Sequence, residues 1–181
     1  MSNFPAAGVY NVDAVHSTVG FIARHLVVSK VRGNFADFSG VITIGDTPET
    51  SSVTATVQAA SVTTNNEQRD GHLKSSDFFD LENHPTLTLV STAFTPKGDN
   101  EYVLTADLTI RGVTKSVNFD VEFTGASDHF FPGVTAIGFE AKTSIDRRDF
   151  GVNFENNLEN GTAVVSHKVD LVFEIEAASQ A

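Results

Sequence analysis

The chain has 181 residues, a mass of 19.4 kDa and a formal net charge of −11. That length suits one domain with a sizeable core, and the absence of cysteine excludes disulfides and thiolate metal sites. With 12 Lys and Arg against 23 Asp and Glu, nucleic acid and anionic membrane surfaces would be repelled by the chain as a whole.

The first eight residues, from Met1 to Gly8, carry neither the basic nor the apolar region of a secretory signal, and no apolar run reaches the ~18 residues of a membrane-spanning helix. The expectation is a soluble, cytoplasmic protein without an integral membrane segment. Phenylalanine dominates the aromatics, with Phe 15 beside Tyr 2 and Trp 0. Rings without a hydrogen-bonding group belong in dry surroundings.

In chain order, Val9 to His25 alternates, with Val19, Phe21, Ala23 and His25 on one parity. A break is expected near Ser29 to Asn34. A strand then follows over Phe35 to Ile44, closed by the turn residues Gly45-Asp46-Thr47-Pro48. Val53 to Thr63 reads as half-buried. Between Asn65 and Asn83 the spacing shifts to three and four, which predicts a short helical insertion near residues 65–83, ended by Pro85. Leu87 and Leu89 restart the period of two. Tyr102 to Ile110 and Val117 to Phe123 then form a hairpin about Arg111-Gly112-Val113-Thr114. Two further strands fit Ile137 to Ile145 and Val165 to Ile175, with Asn160-Gly161 as a turn and the tail after Glu176 frayed.

About eight strands in sequential order with one helical insertion predict an all-β fold, an antiparallel barrel in a single domain whose core spans about residues 8–176. Eight strands enclose a space that side chains fill or a small ligand occupies. Alanines at positions 23, 55, 59, 106 and 141 leave volume among the larger inward residues.

Four blocks carry a resemblance. Asp13-x-x-His16-Ser17-x-x-x-Phe21-x-x-x-His25 with Val31-x-Gly33-x-Phe35 is similar to the opening of the YceI-like polyisoprenoid-binding proteins. Arg69-Asp70-x-His72-Leu73-x-Ser75-x-x-Phe78-Phe79-Asp80 before Pro85, then Leu108-Thr109-Ile110-x-Gly112-Val113-Thr114, then Ile145-x-Arg147-x-Asp149-Phe150-Gly151, resemble its later blocks in order. The resemblance implies a lipocalin-like barrel with a helix beside it and a long apolar pocket for an isoprenoid chain or similar lipid. It also implies a homodimer. Leu89 stands where the family commonly has Phe.

The function expected is non-enzymatic binding, sequestration or transport of an isoprenoid, an isoprenoid quinone or another long-chain amphiphile, without a cofactor. Each buried CH₂ contributes about 0.8 kcal/mol, so a five-carbon unit is worth roughly 4 kcal/mol before ordering costs. The expected lining comprises Val19, Phe21, Val57, Leu73, Phe78, Leu87, Leu104, Leu108, Phe119, Val121, Phe139, Leu171 and Phe173. By parity His25 and His167 also point inward, where neutral imidazoles could hydrogen-bond a polar head. The alternative is a small barrel enzyme acting on a hydrophobic substrate, with His25 or His167 as general base. No histidine pair has metal-motif spacing, and no phosphate-binding glycine motif or nucleophile elbow is present. Arg69-Asp70 and Arg147-Arg148-Asp149 are expected to form ion pairs that fasten the helix and a strand end.

Overall fold

One long hairpin opens the chain. β1 (Gly8–Val12) and β2 (Thr18–His25) occupy one lane of the sheet, interrupted by residues 13–17, and β3 (Ser29–Phe35) and β4 (Phe38–Ile44) return along the next. The computed structural model describes residues 4–180. The turn falls at residues 26–28, not within 29–34. Leu26 and Val27 hold φ at 51° and 66°, a region that Asn or Gly ordinarily supplies in tight hairpins. The chain therefore turns where its sequence carries no turn residue.

β5 (Ser52–Gln58) and β6 (Val62–Thr63) come next, separated by a 3₁₀ turn at Ala59–Ser61. The helical insertion then holds a single helix, α1 (Glu67–Lys74), capped by the Asn66 side chain, which accepts from the Arg69 amide. β7 (Thr86–Pro96), β8 (Glu101–Ile110), β9 (Val113–Asp128), β10 (Thr135–Asp146) and β11 (Val165–Ser179) form an antiparallel meander. The β8–β9 hairpin turns on Arg111 and Gly112 alone, with φ of 51° and 72°.

The sheet runs β1–β4–β5–β7–β8–β9–β10–β11, and β11 pairs with β1 to close a barrel of eight strands. β2, β3 and β6 extend it at one end, with β2 also paired to β11. The tail does not fray at Glu176: Ala177, Ala178 and Ser179 pair with Val12, Asn11 and Tyr10, and these pairs make the closure. Closure leaves no edge exposed along the barrel wall.

Alternation places Tyr102, Leu104, Ala106, Leu108 and Ile110 of β8 inside, each buried, with the intervening residues outward. Phe119, Phe150 and Ile137 are the largest fully enclosed side chains. α1 buries none of its own residues fully. The segment beyond it lays Phe78 and Phe79 across one end of the barrel, where Phe79 meets Phe35 edge to face at 5.6 Å.

A candidate lipid cavity along the barrel axis

The inner wall does not close on itself. A cavity of about 270 Å³ runs between Ile44, Ser52 and Val53 at one end and Arg147, Val152 and Val165 at the other. Along β11 the lining passes from Val165 to Ile175, ten residue steps or roughly 30 Å of strand. The volume lies near the low end of ligand pockets, about 300 to 1,000 Å³. A small volume bordered by so many residues describes a narrow channel rather than a round chamber.

Twelve of the fifteen residues expected at the site border this cavity. β2 supplies Val19 and Phe21, β5 Val57, β7 Leu87, β8 Leu104 and Leu108, β9 Val121, β10 Phe139, and β11 Leu171 and Phe173. Leu73 of α1 and Phe78 after it close one end. Ala23, Ala55 and Ala141 border the cavity too, where a larger side chain would fill it.

Three expected residues do not reach it. Phe119 is fully buried and packs on Phe173 with ring centroids 5.6 Å apart, so it belongs to the packed wall. His25 shares the parity of Phe21 and Ala23 but is exposed, at the end of β2 beyond the last cavity-lining residue of that strand. Parity sets the face of a strand, not how far the barrel extends beneath it. His167 lies in an irregularity of β11, where the register to β2 shifts between Val165 and Val169. The shift carries it off the wall although both flanking valines border the cavity. Its Nε2 lies 2.8 Å from Glu155 Oε1 without the alignment of a hydrogen bond. Contact with His167, and the charges of Arg147 and Arg148, hold the Glu155 carboxyl below its usual pKa against the opposing effect of burial.

Several lining residues went unforeseen. Phe38 borders the cavity on the same parity of β4 as Ile42 and Ile44, which alternation shows. Phe35 lies before the break between β3 and β4, and Phe94 beyond the register shift between Ser91 and Ala93, and each reaches the cavity on the parity opposite to the one alternation gives. Arg147 was not legible, because it sits in a 3₁₀ turn (Arg147–Phe150) at the end of β10 that has no period of two. It is the one charged side chain among the lining residues described, and it is 6% exposed. Three backbone carbonyls hold it: Nε donates to Ser166 O at 3.0 Å, Nη1 to Val152 O at 2.6 Å and Nη2 to Val165 O at 3.4 Å. Glu155 stands 3.8 Å from Nη2. Burial pulls the Arg147 pKa below its ordinary value, and Glu155 and Asp146 partly restore it. A guanidinium carries five N–H groups, so donors remain beyond these three bonds.

The expected ion pairs are rearranged. Of the expected Arg147-Arg148-Asp149 set, Arg148 pairs with Asp146 instead, with Nη2 to Oδ2 at 2.6 Å, and this holds the Asp146 pKa at about 2. Arg69 and Asp70 converge on the buried Thr64.

The blocks around Asp13 and His16 build a loop outside the cavity. Asp13 Oδ2 meets His16 Nδ1 at 2.8 Å, which lowers the Asp13 pKa and raises that of His16. The Ser17 hydroxyl donates to Glu176 O and accepts from Glu176 N, tying the interruption between β1 and β2 to β11.

A closed antiparallel barrel with an apolar channel along its axis and one buried cation at the channel's end defines a lipocalin-like class of protein. The YceI-like domain family matches residues 10–177, and the chain belongs to that family. A UPF0312 protein of Staphylococcus epidermidis is 40% identical over 162 residues, covering 88% of this chain and 91% of the relative. One from Staphylococcus aureus is 38% identical over 170 residues, covering 93% and 95%. Among solved structures, the Campylobacter jejuni YceI protein is 31% identical with a TM-score of 0.76, over 87% of this chain and 90% of that one. A polyisoprenoid-binding domain from Saccharophagus degradans, implicated in plant cell wall breakdown, shares the fold at 16% identity with a TM-score of 0.71, covering 97% and 100%.

Proposed function

We propose that this chain binds an isoprenoid or another long-chain amphiphile in the barrel, tail along the axis and polar head toward Arg147, and that it sequesters or transports that lipid without chemical turnover. The observation that carries the reading is the channel itself, a continuous apolar lining from Val53 to Val165 with a single charged side chain. A hydrocarbon tail gains from leaving water at every carbon, and a channel of this shape takes a tail and refuses a bulky ring system along its length. Arg147 adds an N–H donor at one end, suited to a quinone carbonyl, a carboxylate or a phosphate oxygen.

The family relationship and the polyisoprenoid-binding domain of the same fold support this reading. His25 and His167, the bases of the enzymatic alternative, do not border the cavity, which favours binding over turnover. The test is solvent extraction of the purified protein followed by mass spectrometry, together with titration by a series of prenyl alcohols of increasing length. Affinity should rise with length and then level off where the channel is full. Affinity independent of tail length, or chemical conversion of the added lipid, would reject the proposal.

A further inference from the structure

The chain carries a net charge of −11, yet from Ala14 to Ala36 it contains no Asp or Glu and three cations, Arg24, Lys30 and Arg32. Those residues build the β2–β3 hairpin. Arg24 pairs across the hairpin with Lys30, and Ile22 with Arg32, so the three cations share one face, opposite to Phe21 and Ala23. All three are exposed. Asp170 and Glu174 of β11 are in register with this face, opposite Ile22 and Thr18, and Lys168 Nζ lies 3.7 Å from Asp170.

The hairpin ends in Leu26-Val27-Val28, with Val27 65% and Val28 84% exposed. An Asn-Gly turn would suit water and relieve the positive φ at Leu26 and Val27. A β-branched residue at φ 66° is a strained choice there, and strain held at an exposed apolar tip points to use. The tip also stands at a particular place. Ala23 on β2 and Val165, the β11 partner of His25, border the lipid cavity near Arg147, and the hairpin projects past them.

We propose that this hairpin docks the Arg147 end of the barrel onto the surface of an anionic lipid bilayer. Val27 and Val28 enter the interfacial layer, and Arg24, Lys30 and Arg32 meet lipid phosphates. The two attractions act together, one on apolar area and one on anionic charge. The rest of the acidic chain is repelled, which orients the molecule with the channel end toward the membrane. Docking there serves to bring the bilayer against the end of the channel that Leu73 and Phe78 cover, where Phe78 packs on Phe154 with ring centroids 5.0 Å apart. That purpose rests on the lipid-binding reading, but docking is measured without any lipid in the barrel, so the two can fail separately.

The experiment is co-sedimentation of the full chain with vesicles of phosphatidylcholine alone and of phosphatidylcholine mixed with phosphatidylglycerol. Binding is expected to the mixed vesicles, and to weaken as salt is raised. The double variant Val27→Ser, Val28→Ser and the triple variant Arg24→Ser, Lys30→Ser, Arg32→Ser should each lose at least about tenfold in affinity. Phe130 and Phe131, 78% and 58% exposed in the β9–β10 turn at the other end of the barrel, provide the control. Their change to Ser should leave binding intact. Because the chain has no Trp, Val28→Trp supplies a single reporter whose emission should move to the blue on mixed vesicles. An unshifted Val28→Trp spectrum, equal binding to both vesicle types, full binding by either tip variant, or loss on changing the Phe pair would each overturn the proposal.

Discussion

Phe21 and Gly33 face each other across β2 and β3, and a Cβ built on Gly33 would lie 2.3 Å from Phe21 Cζ. The ring lies over the glycine and so stays against the wall. Phe35 stands 5.9 Å from the same ring and limits movement to that side. A methyl at position 33 therefore has one outlet, which is to push Phe21 into the channel it borders. Gly33→Ala is expected to reduce stability by about 1–3 kcal/mol through overpacking and to shorten the longest tail accepted. Thermal melts and a prenyl-alcohol series measure both, and a variant unchanged in either would contradict this account of Gly33. The same residue shows how a sequence can mislead. Gly33-Asn34 has the composition of a turn, whereas the chain turns seven residues earlier at Leu26-Val27. Glycine here answers a ring across the sheet, a long-range demand that the local sequence does not display.

At the scale of elements, the strands were the legible part and their interruptions were not. Tyr102 to Ile110 alternates without a break and turns on Arg111-Gly112, so facing, register and hairpin all followed from local pattern. His167 did not, because the irregularity that displaces it is defined by the partner strand β2. The helix was visible by its spacing, but its anchor was not. The Thr64 backbone amide and hydroxyl donate to Asp70 Oδ1, and Arg69 Nε donates to Thr64 Oγ1 at 2.7 Å. Thr64 is 6% exposed, so both of its donors depend on that carboxylate. Asp70→Ala should destabilise the protein by about 1–3 kcal/mol, and Asp70→Asn, which keeps a carbonyl acceptor, by less. Burial alone would raise the Asp70 pKa, but hydrogen bonds from Thr64 and Thr63 and the charge of Arg69 bring it below the usual value. A depressed carboxyl stabilises the fold above its unfolded pKa of about 3.9, and that contribution is lost as pH falls through the folded value. The stability gap between wild type and Asp70→Ala should accordingly be widest near neutrality and narrow below about pH 4. Urea unfolding across that range would show it, and a gap that widened on acidification would disprove the anchor.

For the whole molecule, the question is why an eight-stranded barrel, which side chains can fill, stays open. The answer lies in small residues placed opposite one another. Ala55 of β5 pairs with Gly40 of β4 on one side and Leu89 of β7 on the other, and a Cβ on Gly40 would already come within 3.4 Å of the Ala55 Cβ. Ala23 and Ala141 thin the wall in the same way on other lanes. Of the five alanines read as leaving volume, those at 23, 55 and 141 border the open space, while Ala59 and Ala106 are fully buried in packed wall. The pattern therefore marked the space only in part, and its course toward Arg147 was not marked at all, since no period marks a 3₁₀ turn. If the gap at Ala55 is the path of the tail, a ring placed there should close it. Ala55→Phe is expected to keep the far-ultraviolet dichroism of the barrel, to melt within about 1–3 kcal/mol of wild type, and to lose tail affinity at least tenfold, the longest tails most severely. Val90, on the neighbouring strand β7, is 47% exposed on the outer surface, and Val90→Phe adds a ring to the barrel while leaving the channel untouched. Tail binding measured by fluorescence displacement should fall in the first variant and hold in the second. Equal affinity in both would mean that the tail travels elsewhere than along the axis.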